Sequence, residues 1–200
     1  NGTTFNTNGW VEFDGSNDRA YSGNDFTYGS ETTWVATVKR DTNNNAYNMF
    51  MGDLLPYFGF NAGSGHKVHF SNDISGQQRS IFSSTQTDTN TWYHLTFTTE
   101  YNNPNTTMKI FVNGVQESSG TWNGVQTQRA GQSKKFTIGD GRSNATWYPL
   151  DGGVSNVQIY NKTLSDSEIL QNYYGGDVIL DGLVLALDPG NLVSYENGSS

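Results

Sequence analysis

Short runs of Val, Ile, Thr, Phe, Tyr and Trp, each cut off by Gly, Asn, Asp or Ser, recur along the whole chain and specify β-strands rather than alternating βα units. Within them the period is two. Trp92, His94, Thr96 and Thr98 interleave with Tyr93, Leu95, Phe97 and Thr99, so one face of that segment is strongly apolar and the other mixed. Such a strand suits a sheet packed on one side. The clearest strands are expected over residues 10–13, 32–39, 47–51, 57–61, 67–71, 79–83, 92–99, 107–112, 135–139 and 153–160. Turn chemistry separates them, as at Asp14-Gly15, Gly63-Ser64-Gly65, Ser75-Gly76 and Asp140-Gly141.

Asn113-Gly114 is the sharpest turn, because Met108, Ile110 and Val112 alternate before it and Asn-Gly suits the positive φ angles of a type I′ hairpin. One helix is predicted over residues 165–174. Ser165 and Glu168 form a capping box, Gly175-Gly176 stops the helix, and Ile169 with Leu164 or Tyr173 supplies a small apolar stripe. The chain then divides by composition. Residues 1–176 read as one sandwich, and 177–188 as a further strand, apolar on both faces and expected inside a sheet, that either completes this sandwich or opens a following module. Residues 189–200 read as a polar tail or linker. Asn1 is neither an initiating Met nor the start of a signal peptide, which points to a processed product or a portion of a longer protein.

Composition excludes several function classes. A net charge of −8, with Lys39-Arg40 and Lys134-Lys135 as the only basic doublets, argues against nucleic acid as a partner. The longest apolar run, 178–187, is broken by Asp181 and Gly182 and falls short of the roughly 20 residues a membrane-spanning helix needs, so no membrane insertion is expected. With 0 cysteines there is neither a disulfide framework nor a thiolate metal site.

Several segments, in order, resemble the laminin-G-like or concanavalin A-like jelly rolls repeated in phage structural and bacterial surface proteins. Val11-Glu-Phe-Asp-Gly-Ser-Asn-Asp18 is similar to that family's early strand and turn, Thr91-Trp-Tyr-His-Leu-Thr-Phe-Thr98 to its central strand, and Met108-Lys-Ile-Phe-Val-Asn-Gly-Val115 to the next hairpin. Phe136-Thr-Ile-Gly-Asp140, residues 150–160 and residues 163–171 resemble its closing strands and short helix. Residues 182–188 resemble the strand that opens such a module, yet here they come last. The resemblance implies an all-β, two-sheet antiparallel jelly-roll sandwich with one short helix near the C-terminus.

Polysaccharide-cleaving relatives need two carboxylates a few ångströms apart. The resemblance implies such groups on alternate residues of one strand, and no strand here carries that run. Glu12 with Asp14 comes nearest, and a strand entering an Asx turn explains the pair better. His66 and His69, three apart, fall on opposite faces of a strand and read, like His94, as ordinary strand residues. Oxygen-rich Asp14, Asn17 and Asp18 make one loop a candidate calcium site, as laminin-G relatives often have, although Asp and Asn fill every turn in this chain. Trp122, Trp147 and Tyr148 lie in turn-rich stretches, where flat rings can stack on sugars and a neighbour such as Asn144 can bond hydroxyls; the plainer reading of each Trp is core. The expected function is therefore a non-catalytic structural or surface-binding module, a phage decoration or tail-associated protein with glycan contact. The alternative is a glycan-binding adhesion domain of a secreted or cell-surface bacterial protein, and a polysaccharide hydrolase stands behind both. Its place would be extracellular or on a virion surface. Expected partners are other copies, or virion or surface proteins, meeting it through sheet edges, together with polysaccharide.

Overall fold

The computed structural model describes residues 3–6, 8–24, 26–43, 47–52, 55–127, 135–141 and 148–188. In chain order these form β1 (Thr4–Asn6), β2 (Trp10–Asp14), β3 (Ala20–Tyr21), β4 (Thr32–Arg40), β5 (Tyr47–Gly52), β6 (Tyr57–Asn61), β7 (Lys67–Ile74), β8 (Gln77–Gln86), β9 (Tyr93–Asn102), β10 (Asn105–Val112), β11 (Val115–Asn123), β12 (Thr137–Ile138), β13 (Asp151–Tyr160), helix α1 (Asp166–Tyr173) and β14 (Leu183–Leu187). Two antiparallel sheets result, making the all-β jelly-roll sandwich expected from the sequence. The larger runs β1-β2-β13-β4-β9-β10-β11 with β14 also paired to β13, and the smaller runs β3-β12-β5-β6-β7-β8.

Period-two alternation decides which side chains meet between the sheets. Trp34, Ala36, Val38, Leu95 and Phe97 face inward from the larger sheet, and Phe50, Phe58, Phe60, Val68 and Phe70 from the smaller. Their rings interlock: Trp34 lies 5.3 Å from Phe58, and Phe97 lies 4.6 Å from Phe58 and 5.6 Å from Phe70. In the middle of the larger sheet β4 is buried on both faces. Val35 points out of the sandwich but joins Phe111, Tyr160, Leu164 and Ile169 beneath α1.

Local signals produce local structure as expected. Ser165 Oγ accepts the Glu168 N–H at 3.3 Å, and Glu168 Oε2 accepts the Ser165 N–H at 2.7 Å, closing the capping box. Asn113 and Gly114 take φ of 51° and 79° and join β10 to β11 with Val112 opposite Val115. Edges depart from expectation. Residues 177–180 are not strand; β14 starts only after Gly182, at φ 74°, and among the described residues pairs only with β13. β13's one edge carries β2 along residues 151–154 and β14 along 157–160, so β14 runs at the rim rather than inside the sheet. In consequence Val178, Leu180 and Val184 are 49%, 77% and 49% exposed, whereas Leu185 and Leu187 pack against the main core and Leu183 against the cluster under α1.

A chain ending after Gly176 loses those three half-buried leucines, worth roughly 3–5 kcal/mol together. At this size the melting temperature should fall by roughly 10 °C or more. An unchanged melting curve would show that β14 does not seal the sandwich.

Candidate functional site

The same alternation that sends Phe58, Phe60 and Phe70 inward places Tyr57, Gly59, His69 and Ser71 on the outer face of the smaller sheet. Cross-strand register then sets Met49, Gly59, His69 and Phe82 in one row across β5, β6, β7 and β8, with Tyr57, Ser71 and Ser80 in the next. A side chain at Gly59 would put its Cβ 2.5 Å from Met49 Sδ, so the glycine is what lets Met49 lie flat on the sheet. Met49, Leu55 and Tyr57 form a small apolar cluster there, bordered by Tyr47.

His69 is the centre of the arrangement. It is 3% exposed, stacks on Phe82 at 4.4 Å and 13°, meets Tyr57 edge-on at 5.3 Å and lies 5.8 Å from Tyr47. Its Nε2 shares a hydrogen bond with Ser71 Oγ at 3.0 Å, while its buried Nδ1 has no partner among the described residues. Burial pushes the imidazole down to about 4, so it is neutral at physiological pH. Burial likewise holds the Tyr57 phenol above its ordinary value, and its oxygen accepts the Gln78 Nε2–H at 2.9 Å. Tyr148 closes one side with its ring 5.1 Å from Tyr47, positioned by the Met49 N–H donating to its carbonyl at 2.8 Å. Phe82 and Tyr148 remain 36% and 40% exposed. The face therefore offers flat aromatic surfaces around a neutral, desolvated imidazole, bordered by amide and hydroxyl groups. Apolar ring faces stack on such surfaces while hydroxyls take the polar groups.

Of the aromatic candidates from the sequence, Tyr148 belongs to this face. Trp122 does not: it is half-buried against the main core, and a Cβ at Gly120 would lie 2.4 Å from its ring. Trp147 and Asn144 lie outside the described residues. In the oxygen-rich loop Asp14 is exposed and its Oδ1 accepts the Ser16 N–H at 2.9 Å, Asn17 is exposed, and Asp18 is buried with Oδ2 3.4 Å from the Asp14 N–H. Glu12 is held by Lys39 at 3.0 Å and by the Trp10 indole N–H. His66 occupies the turn before β7 at φ 60°, not a strand. The sequence missed His69, Tyr47, Tyr57 and Phe82 as one group, for they come from four strands and only register unites them.

A family model described as the concanavalin A-like lectin/glucanases superfamily matches residues 6–170. Among curated proteins none matches the chain significantly. Among solved structures, a "putative carbohydrate binding protein" from Bacteroides ovatus is similar at 21% identity and a TM-score of 0.69, over 86% of this chain and 49% of that one. The chain thus spans about half that protein's length. The Ruminococcus gnavus IT-sialidase CBM40 bound to α2,3-sialyllactose is 16% identical with a TM-score of 0.59, over 73% and 84% of the two chains. The enzymatically active domain of bacteriophage CBA120 tailspike protein 2 is 12% identical with a TM-score of 0.62, over 90% and 30%. At these identities the likeness is one of fold.

The buried imidazoles set a pH dependence. His94, beneath Tyr173 on the other sheet, is likewise pushed down to about 4 by burial. Both have folded values below the unfolded 6.5, so the unfolded chain binds more protons between pH 6.5 and 4. Their contribution is complete above about pH 6.5 and is lost as pH falls toward 4, at roughly 3 kcal/mol for each histidine. Denaturant titrations at pH 7 and pH 4 should show that loss, and His69→Gln should reduce it by about half. Equal pH slopes in the two proteins would contradict the burial of His69.

Proposed function

The chain belongs to the concanavalin A-like lectin/glucanase superfamily, and from that premise we propose that it is a non-catalytic glycan-binding module acting outside the cell or on a virion surface. The observation that carries this reading is the outer face of β5–β8, where Tyr47, Phe82 and Tyr148 present ring surfaces around the neutral His69. A sugar's C–H face stacks on the rings, and its hydroxyls bond the Gln78 and Ser80 side chains at their border. Likeness of fold to carbohydrate-binding structures supports the reading. Glu12, whose carboxylate is held by Lys39 and Trp10, supports a role without catalysis.

A second reading, assembly into a virion or a bacterial surface layer, is favoured by one feature. The rim strand β14 and its approach leave Val178, Leu180 and Val184 exposed beside a sheet edge that has no partner among the described residues, the kind of edge that other copies or virion proteins would extend. Likeness to the phage tailspike fold is compatible with it.

Calcium is a companion proposal. Among the described residues no three carboxylates or imidazoles converge. Asp18, buried with its Oδ1 lacking a partner among the described residues, is still a fitting ligand, and Asp14 and Asn17 would have to turn toward it. Carbonyl oxygens would complete the shell. Dialysis against a chelator should lower the melting temperature by several degrees relative to a mock treatment, and readded calcium should restore it. Identical melting curves would remove calcium from the account.

Glycan binding is tested on an array with the intact chain. Tyr148→Ala should weaken binding to the selected glycan about tenfold, as expected for loss of one stacking ring. Its melting temperature should barely move. Trp122→Ala should do the reverse, keeping affinity while lowering stability. Binding lost in Trp122→Ala but kept in Tyr148→Ala would place the ligand elsewhere, and an array on which no glycan is retained would defeat the proposal.

A further inference from the structure

On the opposite sheet, between the C-terminal end of α1 and the β13–β14 pair, lies a cavity of about 300 Å³. Its walls include Asn156 and Gln158 from β13, Asn172 from α1, Val178 from the connecting segment, and Ala186 and Asp188 at the end of β14. Asn156 and Gln158 alternate with the core residues Val157 and Ile159, so both leave the sandwich on its outer side. Ala186 faces Gln158 across the strand pair.

A hydrogen-bond relay fixes what these amides present. Tyr160 is fully buried, and burial above all holds its phenol above the ordinary value, so it keeps its proton. Its O–H donates to Gln158 Oε1 at 2.8 Å, and its oxygen accepts the Asn172 Nδ2–H at 3.3 Å. Gln158 therefore has its NH₂ group left over, and Asn172 its carbonyl oxygen. Neither atom has a partner among the described residues, nor has the Asn156 side chain, although Gln158 is only 6% exposed. These amide atoms face the cavity and are open to water or to a ligand that offers matching donors and acceptors.

We propose that this cavity is a second carbohydrate subsite, taking a single neutral sugar ring. A sugar hydroxyl is both donor and acceptor, matching a wall that holds free donors at Gln158, a free acceptor at Asn172 and both at Asn156. Val178 and Ala186 supply apolar surface for the ring's C–H face. Among the described residues no cation lines the cavity, so nothing there favours an anionic ligand. The volume lies at the lower end of ligand pockets and limits the occupant to about one ring. The inference does not rest on the His69 face, which belongs to the other sheet; with both sites filled the module would bridge two glycan strands.

The experiment uses the full ¹⁵N-labelled chain titrated with glucose, galactose and N-acetylglucosamine at millimolar concentration, reading side-chain NH₂ resonances. At least one sugar should shift the Gln158 and Asn156 signals in a saturable way. Gln158→Glu keeps the acceptor for Tyr160 and removes both donors, and should weaken binding at least tenfold, read from the Asn156 signal. Ala186→Leu narrows the cavity without placing a new charge in it, and should abolish the shifts even where the first variant does not fold. No response to any of the three sugars, or an equal response in a folded Gln158→Glu or in Ala186→Leu, overturns the proposal. The Gln78 NH₂ signal reports on the His69 face and the Gln158 signal on this cavity, so failure at one site is distinguishable from failure at the other.

Discussion

The aromatic clasp between the sheets determines nearly everything on the outside of the molecule. Trp34, Phe58, Phe70 and Phe97 touch one another across the interior at 4.6–5.6 Å, and they lock β6 and β7 in register. A slip of one residue would turn Phe58, Phe60 and Phe70 out to solvent and bring Tyr57, His69 and Ser71 inside. Because the core forbids that slip, Tyr57, His69 and Phe82 are gathered on the outer face whether or not any local signal asks for it. The candidate site is the reverse side of the core.

This explains which features were legible in the sequence. The hairpin at Asn113-Gly114 and the helix cap at Ser165 with Glu168 are contained within a few consecutive residues, and they form where their chemistry says they should. The strand β4 was equally plain, since its run of β-branched and aromatic residues fits a strand buried on both faces. β11 was harder, for Ser118, Ser119 and Gly120 look like loop residues and become strand only through pairing with β10 at the sheet's edge. Residues 177–188 misled in the other direction. Their apolar character on both faces was read as a strand lying inside a sheet, but β2 and β14 divide a single edge of β13, and among the described residues no further strand pairs with β14.

The site itself was mostly hidden for the same reason. Aromatics in turn-rich stretches were the sequence criterion; of those it picked out, Tyr148 lies on this outer face, while the Trp122 ring fills the space above Gly120 and packs on the core. His69 drew no attention because its neighbours in sequence explain it as an ordinary strand residue. Its neighbours in space are Phe82 and Tyr47, on strands that lie on either side of β6 and β7. Electrostatics follows from that packing, since an imidazole enclosed by rings loses its proton and leaves a neutral surface suited to hydroxyl-rich ligands.

The central claim is that ligand contact occurs on the outer face of β5–β8. A crystal structure of the chain with its array-selected oligosaccharide tests this most directly. The expected result is a sugar ring stacked at about 4 Å on Tyr47, Phe82 or Tyr148, with hydroxyls bonded to Gln78 or Ser80 at the border of those rings. A ligand bound elsewhere, with that face bare, would contradict it.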